Sequence, residues 1–301
     1  MEPPVSTDAT ATWMFEGRER RAPPLPPALH VVATPIGNLA DITLRALDTL
    51  AACPVIACED TRTTARLLDR YAITGRRVAY TEHNAERAGP RLLDAIAAGT
   101  PVALVSDAGT PLVSDPGQRL VAAAVARDLD VVPLPGASAP LAALVASGLM
   151  GETFTFTGFL PGRRKGLLEW AARHGGGGST IAAFEAPGRI AASLAVLAEA
   201  LGTERRAVVA REITKLHETH HRGTLGTLAG EFAAMDRVRG EIVLVLEAAR
   251  EASDWTDEAV DAALDDALSR LGTKDAAAEV AAASGRPRRD LYRRALERKG
   301  R

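Results

Sequence analysis

From residue 29 onward the sequence alternates short apolar runs with longer stretches of helical periodicity, and this alternation constrains the fold more than any other feature. The runs are HVVATP (30–35), PVIACED (54–60), RVAYTEH (77–83), PVALVSD (101–107) and DVVPLPG (130–136). Between the first two, Leu44, Leu47 and Leu50 recur at roughly helical spacing. Strand and helix alternating at this pitch predict a largely parallel sheet that is covered on both faces.

A second set of apolar runs begins at about residue 152 and predicts a second α/β unit. Its predicted strands are ETFTFTGFL (152–160), STIAAFEAP (179–187), RAVVAREITK (206–215) and GEIVLVLEAA (240–249), with helices at 188–201 and 224–235. We therefore predict an N-terminal α/β domain over 29–148 and a C-terminal α/β domain over 149–250. Two such domains in series usually enclose their ligand in the cleft between them, so the predicted fold class is α/β with an interdomain cofactor cleft.

The two ends of the chain differ from this pattern. Residues 1–28 contain six prolines and lack the apolar core of a signal peptide, so we interpret them as a disordered Pro-rich leader. No stretch approaches the roughly 18 consecutive apolar residues of a membrane span, which favours a cytoplasmic protein without membrane contact. Residues 251–301 predict a small helical segment that resembles a helix-turn-helix.

The second helix of that segment carries Arg288, Arg289, Arg293 and Arg294. Because the chain as a whole has a net charge of −2, any contact with a polyanion must come from such a local patch. The segment is therefore interpreted as an arm that contacts RNA phosphates. A solvated basic tail is the alternative interpretation.

Three tight loops of small residues follow strands of the first predicted sheet. They are ATPIGN (33–38), SDAGTPLVSDPG (106–117) and LPGASAP (134–140). None has the glycine pattern of a dinucleotide or P-loop site, and together they suit a nucleoside-like ligand that carries hydroxyls or a cation. Asp107 is a candidate ligand-binding carboxylate, although a turn-stabilising Asx residue is the alternative. Asp115, followed by Pro116, is predicted to cap the next helix.

Polar triplets close three further apolar runs and form a predicted active-site rim. Catalysis that moves a proton requires an acid–base group near the reacting atom, and each triplet supplies one. Solvated loop charges or structural salt bridges are the alternatives for any single member. Cys53 and Cys58 are interpreted as core thiols, the histidines at 217, 220 and 221 as surface residues, and no metal is predicted. The triplets are Glu59, Asp60 and Arg62; Glu82, His83 and Asn84; and Arg211, Glu212 and Lys215.

Eight motifs taken together resemble a known family. In order they are VATPIGNLADITLRAL, EDTRTTARLL, EHN, SDAGTPLVSDPG, PGASA, TGFLP, EAPGR and REITKLHE, spread over residues 32–218. This set is similar to the ribosomal small subunit methyltransferase I family, a branch of the tetrapyrrole-methylase-like enzymes that use S-adenosylmethionine. The sequence departs from the family in having EAP where Glu-Ser-Pro is expected, and in its Pro-rich leader.

The resemblance implies a homodimer that binds S-adenosylmethionine in the interdomain cleft. It also implies methylation of a cytidine ribose 2′-hydroxyl in the decoding region of 16S rRNA, as free RNA or in the small ribosomal subunit. Loop position and family analogy together assign ten residues to the cofactor. These are Pro35, Gly37, Asp107, Gly109, Val113, Ser114, Ser138, Ala139, Phe184 and Ile242. The predicted catalytic set is Glu59, Asp60, Arg62, His83, Asn84, Arg211, Glu212 and Lys215.

Two other functions remain open at this stage. A tetrapyrrole-type methyltransferase for small molecules would share the cofactor loops but would not need an Arg-rich appendage. A non-catalytic RNA-binding protein would need the basic helix but not the Asp107 loop. Methylation of a base usually requires aromatic surfaces that stack it, and the proposed rim motifs contain no aromatic side chain, which favours the ribose.

Overall fold

The computed structural model describes residues 11–249, 255–284 and 286–299, which fold into two five-stranded sheets and a group of C-terminal helices. The strands are β1 (Thr12–Phe15), β2 (Arg18–Arg21), β3 (Leu29–Val32), β4 (Val55–Cys58), β5 (Arg76–Ala79), β6 (Val102–Val105), β7 (Val131–Leu134), β8 (Phe154–Phe159), β9 (Thr180–Glu185), β10 (Arg206–Arg211), β11 (Thr219–Thr224) and β12 (Ile242–Leu246). The helices are α1 (Leu44–Ala52), α2 (Thr61–Arg70), α3 (Ala85–Ala97), α4 (Gln118–Val125), α5 (Ala139–Ser147), α6 (Arg164–His174), α7 (Ile190–Leu201), α8 (Leu225–Ala233), α9 (Asp257–Arg270), α10 (Thr273–Ser284) and α11 (Arg288–Lys299).

The first sheet is parallel throughout, with strand order β5-β4-β6-β3-β7. Its internal strand β4 is buried at every position because helices cover both faces. Ile56 and Cys58 join the core on one face, whereas Val55 and Ala57 join the core on the other. The predicted parallel sheet is therefore confirmed. Cys53 and Cys58 are both buried free thiols, as predicted, and burial raises the pKa of Cys53 to about 12.

The second sheet, with order β11-β10-β12-β9-β8, is mainly antiparallel, and only β8 and β9 pair in parallel. Strand β11 (THHRGT) was not predicted because it lacks an alternation of apolar residues. One face of this sheet packs on its own helices. The other face packs on α5 of the first domain, where Ala143 and Leu144 meet Val208 and Val243.

The prediction of a disordered leader is wrong for the described residues 11–28. Strands β1 and β2 form an antiparallel hairpin, and Met14 donates a backbone hydrogen bond to the Tyr71 carbonyl over 2.8 Å. Trp13 is 1% exposed, and its Nε1 donates to Asp48 Oδ1 over 2.7 Å. The buried Trp13 indole, whose N–H is hydrogen-bonded, anchors the hairpin. The proline-rich composition of this region gave no sign of such a hairpin. Residues 1–10 lie outside the described residues.

Helices α9, α10 and α11 form a separate small core around residues such as Leu264 and Leu291. An ion-pair ladder joins α9 to α11: Arg294 Nε lies 2.5 Å from Asp261 Oδ1, and Arg298 also pairs with Asp261, at 3.0 Å. Arg286 and Arg298 further pair with Asp257 and Asp265. The Arg294 guanidinium, assigned from the sequence to an RNA-contacting surface, is thus paired within the fold, and its contact with RNA stays a prediction.

Candidate active site

Backbone hydrogen bonds tie the three strand-end loops of the first domain into one unit. Thr34 and Gly109 exchange two of them, at 2.8 and 3.0 Å. Thr110 Oγ1 donates to the Ala137 carbonyl over 3.1 Å, which attaches the third loop. Gly109 has φ +78°, and a Cβ there would lie 3.2 Å from Ile36. The loops are therefore fixed before any ligand binds.

Leu112 and Ser114, in the middle of the SDAGTPLVSDPG loop, also have positive φ, at 73° and 69°. Such a conformation costs a non-glycine residue on the order of 1–3 kcal/mol and persists only where the surrounding structure enforces it. Backbone strain of this kind concentrates at ligand-binding sites. The surrounding structure therefore holds this loop in a conformation that is unfavourable for the loop alone, as is common at ligand-binding sites.

A cavity of about 370 Å³ lies between these loops and the second domain. Its walls are largely apolar, and each domain contributes one side. The first domain supplies Ile36, Ala108, Gly109, Thr110, Val113, Ser114, Asp115, Ser138, Ala139 and Pro140, and the second supplies Phe159, Phe184, Glu185, Ala186, Pro187, Ile213, Gly240, Glu241, Ile242 and Val243. The predicted interdomain cleft is thus present.

Seven of the ten residues predicted for the cofactor line this cavity: Gly109, Val113, Ser114, Ser138, Ala139, Phe184 and Ile242. The other three do not. Pro35 is buried beside the cavity wall, and Gly37 packs against the side chain of Lys215 in the second domain. Asp107 is exposed at the neighbouring strand end, where its Oδ1 accepts the Asp60 backbone N–H over 3.0 Å.

The predicted helix cap at Asp115 is wrong. Helix α4 begins at Gln118, and its N-cap is Gly117, whose φ of +132° only glycine adopts easily. Asp115 instead turns toward the cavity, which it lines. Burial, followed by the charge of Asp107, raises its pKa, while a hydrogen bond with Ser106 acts in the opposite direction.

An acidic cluster forms where β4 and β6 end. Burial raises the pKa of Glu59, and the charges of Asp107, Asp115 and Asp60 raise it further. Asp60 differs because it caps α2 and binds the Arg62 guanidinium at 2.8 Å, which lowers its pKa to about 2. The pKa of Glu59 is therefore raised, as is that of Asp115, which is the direction that a proton acceptor near pH 7 requires.

Replacing Glu59 by Gln should stabilise the fold at neutral and alkaline pH. The raised pKa means that the folded state disfavours the ionised form, a penalty that exists above the folded pKa and vanishes below the unfolded value of about 4.3. The melting temperature of Glu59→Gln should exceed that of wild type by on the order of 1 °C at pH 8, with the gain shrinking as pH falls to 4. Thermal unfolding measured across this pH range checks it. Glu152→Gln, at an exposed loop position, is the matched control, and an equal gain at both ends of the range would contradict the assignment.

The second rim, contributed by the other domain, is an ion-pair network. Lys215 Nζ donates to Glu212 Oε1 over 2.8 Å and to Glu241 Oε2 over 3.1 Å. The hydrogen bond from Lys215 lowers the pKa of Glu212; in turn, the pairs with Glu212 and Glu241 outweigh burial and raise the pKa of Lys215. Arg211 donates to Thr219 Oγ1 and to the Arg239 carbonyl, so it braces the network.

Glu212 has φ 53° and Thr214 φ 66°, both in the left-handed region. Lys215 of this strained turn lies against Gly37 of the first domain. The Lys215 turn of the second domain thus meets the ATPIGN loop of the first domain across the cleft.

The EHN motif contributes less than predicted. The Asn84 side-chain amide closes its own turn, accepting from Thr81 N and donating to the Ala79 carbonyl over 2.9 and 2.8 Å. His83 is exposed. Asn84 therefore holds the loop that presents His83.

The histidines at 217–221 (HETHH) fit the letters H-E-x-x-H, but the zinc-binding form of that pattern requires a helix. Here β11 begins at Thr219, and His220 and His221 pair with Glu218 and Glu231 instead. Their side chains are largely buried, so the interpretation of these two as surface residues is wrong, whereas His217 is exposed.

The rim motifs themselves contain no aromatic side chain, as predicted, but the cavity beside them has an aromatic wall. Phe159 and Phe184 both line the cavity, and their ring centroids lie 5.2 Å apart. Phe184 had been assigned to the cofactor, whereas Phe159 was missed because it was counted as part of an ordinary strand. The signal available in the sequence was the glycine before it in TGFLP.

Comparison with known proteins places this geometry in a family. A family model described as Tetrapyrrole (Corrin/Porphyrin) Methylases matches residues 28–229, and a second, described as the RsmI C-terminal HTH domain, matches residues 248–299. The ribosomal RNA small subunit methyltransferase I of Mesorhizobium japonicum is 51% identical over 281 residues, which are 92% of this chain and 94% of that protein. The protein of the same name from Synechocystis is 42% identical, over 89% of this chain and 97% of its own length.

The chain belongs to the ribosomal RNA small subunit methyltransferase I family. Membership confirms the predicted family and the predicted enzyme class, a methyltransferase that uses S-adenosylmethionine. Solved structures share the fold of this methyltransferase family at low sequence identity. Diphthine synthase has a TM-score of 0.57 at 16% identity and covers 73% of this chain and 89% of its own, and a cobalt precorrin-4 methyltransferase has 0.54 at 17%, covering 72% and 93%.

Proposed function

We propose that the protein transfers the methyl group of S-adenosylmethionine to the 2′-hydroxyl of a cytidine ribose in the decoding region of 16S rRNA. The observation that carries the proposal is the interdomain cavity, with the acidic cluster at the strand ends of one domain and Lys215 of the other domain packed against Gly37 of the first. Relatives that share this chain along most of its length are named for methylation of small subunit rRNA.

The cavity fits the cofactor in size and in chemistry. Its volume of about 370 Å³ lies within the range of small-molecule sites, and its apolar walls carry few polar groups. Ser138 and Thr110 offer hydroxyls, and Gly109 allows the backbone to come close. When bound, the cofactor supplies an electrophilic methyl group on a sulfonium.

The residues of this chain would act by positioning and by handling a proton. Ala139, Phe184 and Ile242 exclude water from the cavity interior, so that a hydroxyl oxygen and the methyl group meet in line. A carboxylate of the acidic cluster, Glu59 foremost, accepts the hydroxyl proton. Lys215 stays protonated beside Glu212 and offers a cation to a flanking phosphate.

Chemical mapping of the rRNA tests the proposal directly. Small ribosomal subunits from a strain that lacks this protein are incubated with the enzyme and S-adenosylmethionine, and the 16S rRNA is then hydrolysed in alkali. A 2′-O-methyl group blocks cleavage of the adjoining phosphodiester, so one position should become resistant. If the position still cleaves and mass spectrometry places the added methyl on the base, the ribose assignment is wrong.

The same reaction separates the alternatives. A methyltransferase for small molecules would bind S-adenosylmethionine but would not be inhibited by competing RNA. A non-catalytic RNA-binding protein would not bind the cofactor. Reaction on free 16S rRNA compared with assembled subunits identifies the form of the substrate.

Helix α11 is proposed to contact RNA phosphates with the arginines that the ion-pair ladder leaves exposed. Replacing Arg289 and Arg293 by Gln should weaken RNA binding and reduce the slope of log affinity against log salt by about 2, since each lost phosphate contact removes about one unit. Filter binding at several salt concentrations measures the slope. Arg87→Gln with Arg91→Gln, an exposed pair at the same spacing on α3, is the matched control. If the slope is unaltered, α11 does not contact RNA phosphates, and the alternative interpretation of a solvated basic tail holds.

We also propose that the protein is a cytoplasmic homodimer, as the family resemblance implies. Leu141 and Val145 stand on one exposed side of α5, and Met150 follows close by, so this apolar surface suits a second copy of the chain. Light scattering should give about twice the chain mass of 31.6 kDa; a monomer at micromolar concentration would contradict the assignment. None of the helices in the described ranges is long and apolar enough to cross a membrane.

A further inference from the structure

Strand β8 contains an irregularity that changes the direction of one side chain. Its pairing with β9 shifts register between Phe156 and Phe159, and Gly158 there has φ +71°. In a regular strand, two residues three positions apart point to opposite faces of the sheet. A bulge inserts one extra residue and so returns the later side chain to the same face.

The ring positions show this effect. Phe156 and Phe159 both lie against Phe184 on the neighbouring strand, at centroid distances of 5.0 and 5.2 Å. Phe156 and Phe184 pack against the core between the two domains. Phe159 extends this row of rings past the end of the core and into the cavity wall.

Phe159 stands at the mouth of the cavity, whereas Phe184 lines its interior. Its side chain is 59% exposed although it touches another aromatic ring and lines an apolar cavity. Across the cleft, Ser114 is close: a Cβ added to Gly158 would lie 3.4 Å from Ser114 Oγ. A cofactor that fills the interior would leave one face of the Phe159 ring toward whatever enters next.

We propose that Phe159 is a stacking surface for the base of the methyl-accepting nucleotide. This inference rests on the proposed function and adds a residue that orients the nucleotide. An aromatic face binds any base without regard to its hydrogen-bonding edge, and it leaves the ribose free to turn toward the cavity. The bulge is what delivers the ring to this place.

The charges around the ring favour a nucleotide over an apolar occupant. Arg163, exposed on the loop that follows β8, and Lys215, in the rim that the same domain contributes, are cations suited to flanking phosphates. Asp115 and Glu241 line the cavity itself and would repel a phosphate there. A nucleotide whose base stacks on the Phe159 ring and whose phosphates stay outside the cavity would lie near the two cations and away from the two carboxylates.

The test compares variants that keep or remove the flat face. Methylation of small ribosomal subunits from a strain lacking the protein is measured for wild type, Phe159→Leu, Phe159→Tyr and Phe159→Trp, together with S-adenosylmethionine affinity by calorimetry. Stacking on an aromatic side chain is worth about 5- to 150-fold per base, so kcat/KM for Phe159→Leu should fall within that range. Tyr and Trp should restore it, with cofactor affinity unchanged throughout.

Phe154→Leu is the matched control, because Phe154 is also exposed, at 41%, but begins the same strand and does not line the cavity. An equal loss in Phe154→Leu would show that weakening of β8 is the cause and would overturn the proposal. So would full activity of Phe159→Leu. A parallel loss of S-adenosylmethionine affinity would place the cofactor's adenine on the ring instead. Failure of wild type to methylate the subunits would refute the proposed function itself.

Discussion

Lys215→Ala is expected to reduce methylation of small ribosomal subunits by about 10²–10³-fold while leaving S-adenosylmethionine affinity unchanged, the loss typical of removing one preorganised charged donor. Lys215 holds Glu212 and Glu241 by hydrogen bonds and presents its ammonium at the cleft. It does not line the cavity assigned to the cofactor. Because Lys215 belongs to the rim proposed to hold the acceptor, its loss should act on that side of the reaction.

Glu212→Ala should give a loss of the same kind, because Glu212 orients Lys215 and also accepts the Glu241 backbone N–H over 2.9 Å. Single-turnover methylation and calorimetric cofactor binding measure the two effects separately. Arg206→Ala is the matched control: it breaks an exposed ion pair with Glu247 at the opposite end of the same strand, β10. A Lys215→Ala enzyme that turns over normally would remove this network from the chemistry.

Asp107→Ala should weaken S-adenosylmethionine binding by about 10- to 100-fold, which corresponds to loss of hydrogen bonds to a carboxylate. The side chain is exposed at a strand end and contributes little to the core, so the fold should persist. The variant should also let the pKa values of Glu59 and Asp115 fall, because the Asp107 charge raises both. Isothermal calorimetry measures the affinity.

The control for Asp107 is Asp130→Ala, an exposed aspartate at the opposite, amino end of the same sheet. It should bind the cofactor as wild type does. Because Asp107 also accepts the Asp60 backbone N–H, the melting temperature of each variant is measured alongside. Unchanged affinity in a folded Asp107→Ala protein would remove this residue from the cofactor site.

The first domain could be predicted from the sequence because buried parallel strands are nearly continuous apolar runs. β4 and β6 are buried at every position, and their sequences show it. β11 could not be predicted, since THHRGT gains its place from pairing with β10 rather than from its own apolar content. The hairpin at Trp13 was hidden for a similar reason: its stability comes from one indole and from a partner 35 residues away.

The site was predictable at the level of loops and less so at the level of individual side chains. Five of the proposed cofactor residues line the cavity because strand ends of the parallel sheet meet at one edge, and Phe184 and Ile242 line it from the second domain. The exact direction of a side chain depends on tertiary detail: the bulge at Gly158 re-aims Phe159, and Gly117 takes the cap that Asp115 was expected to form. Which arginines of α11 remain available depends on the aspartates that α9 places opposite them.

The ion pairs between α9 and α11 also affect how strongly the helical segment attracts RNA. Arg294 and Arg298 form ion pairs with Asp261 and Asp265. The helical segment therefore presents fewer unpaired cations at its surface than the number of arginines in its sequence would indicate. The non-specific affinity for RNA increases with each phosphate that is neutralised. A surface on which every arginine was unpaired would therefore bind RNA of any sequence more tightly. If α11 contacts RNA as proposed, the internal pairing of Arg294 and Arg298 should lower the affinity of the segment for unrelated RNA.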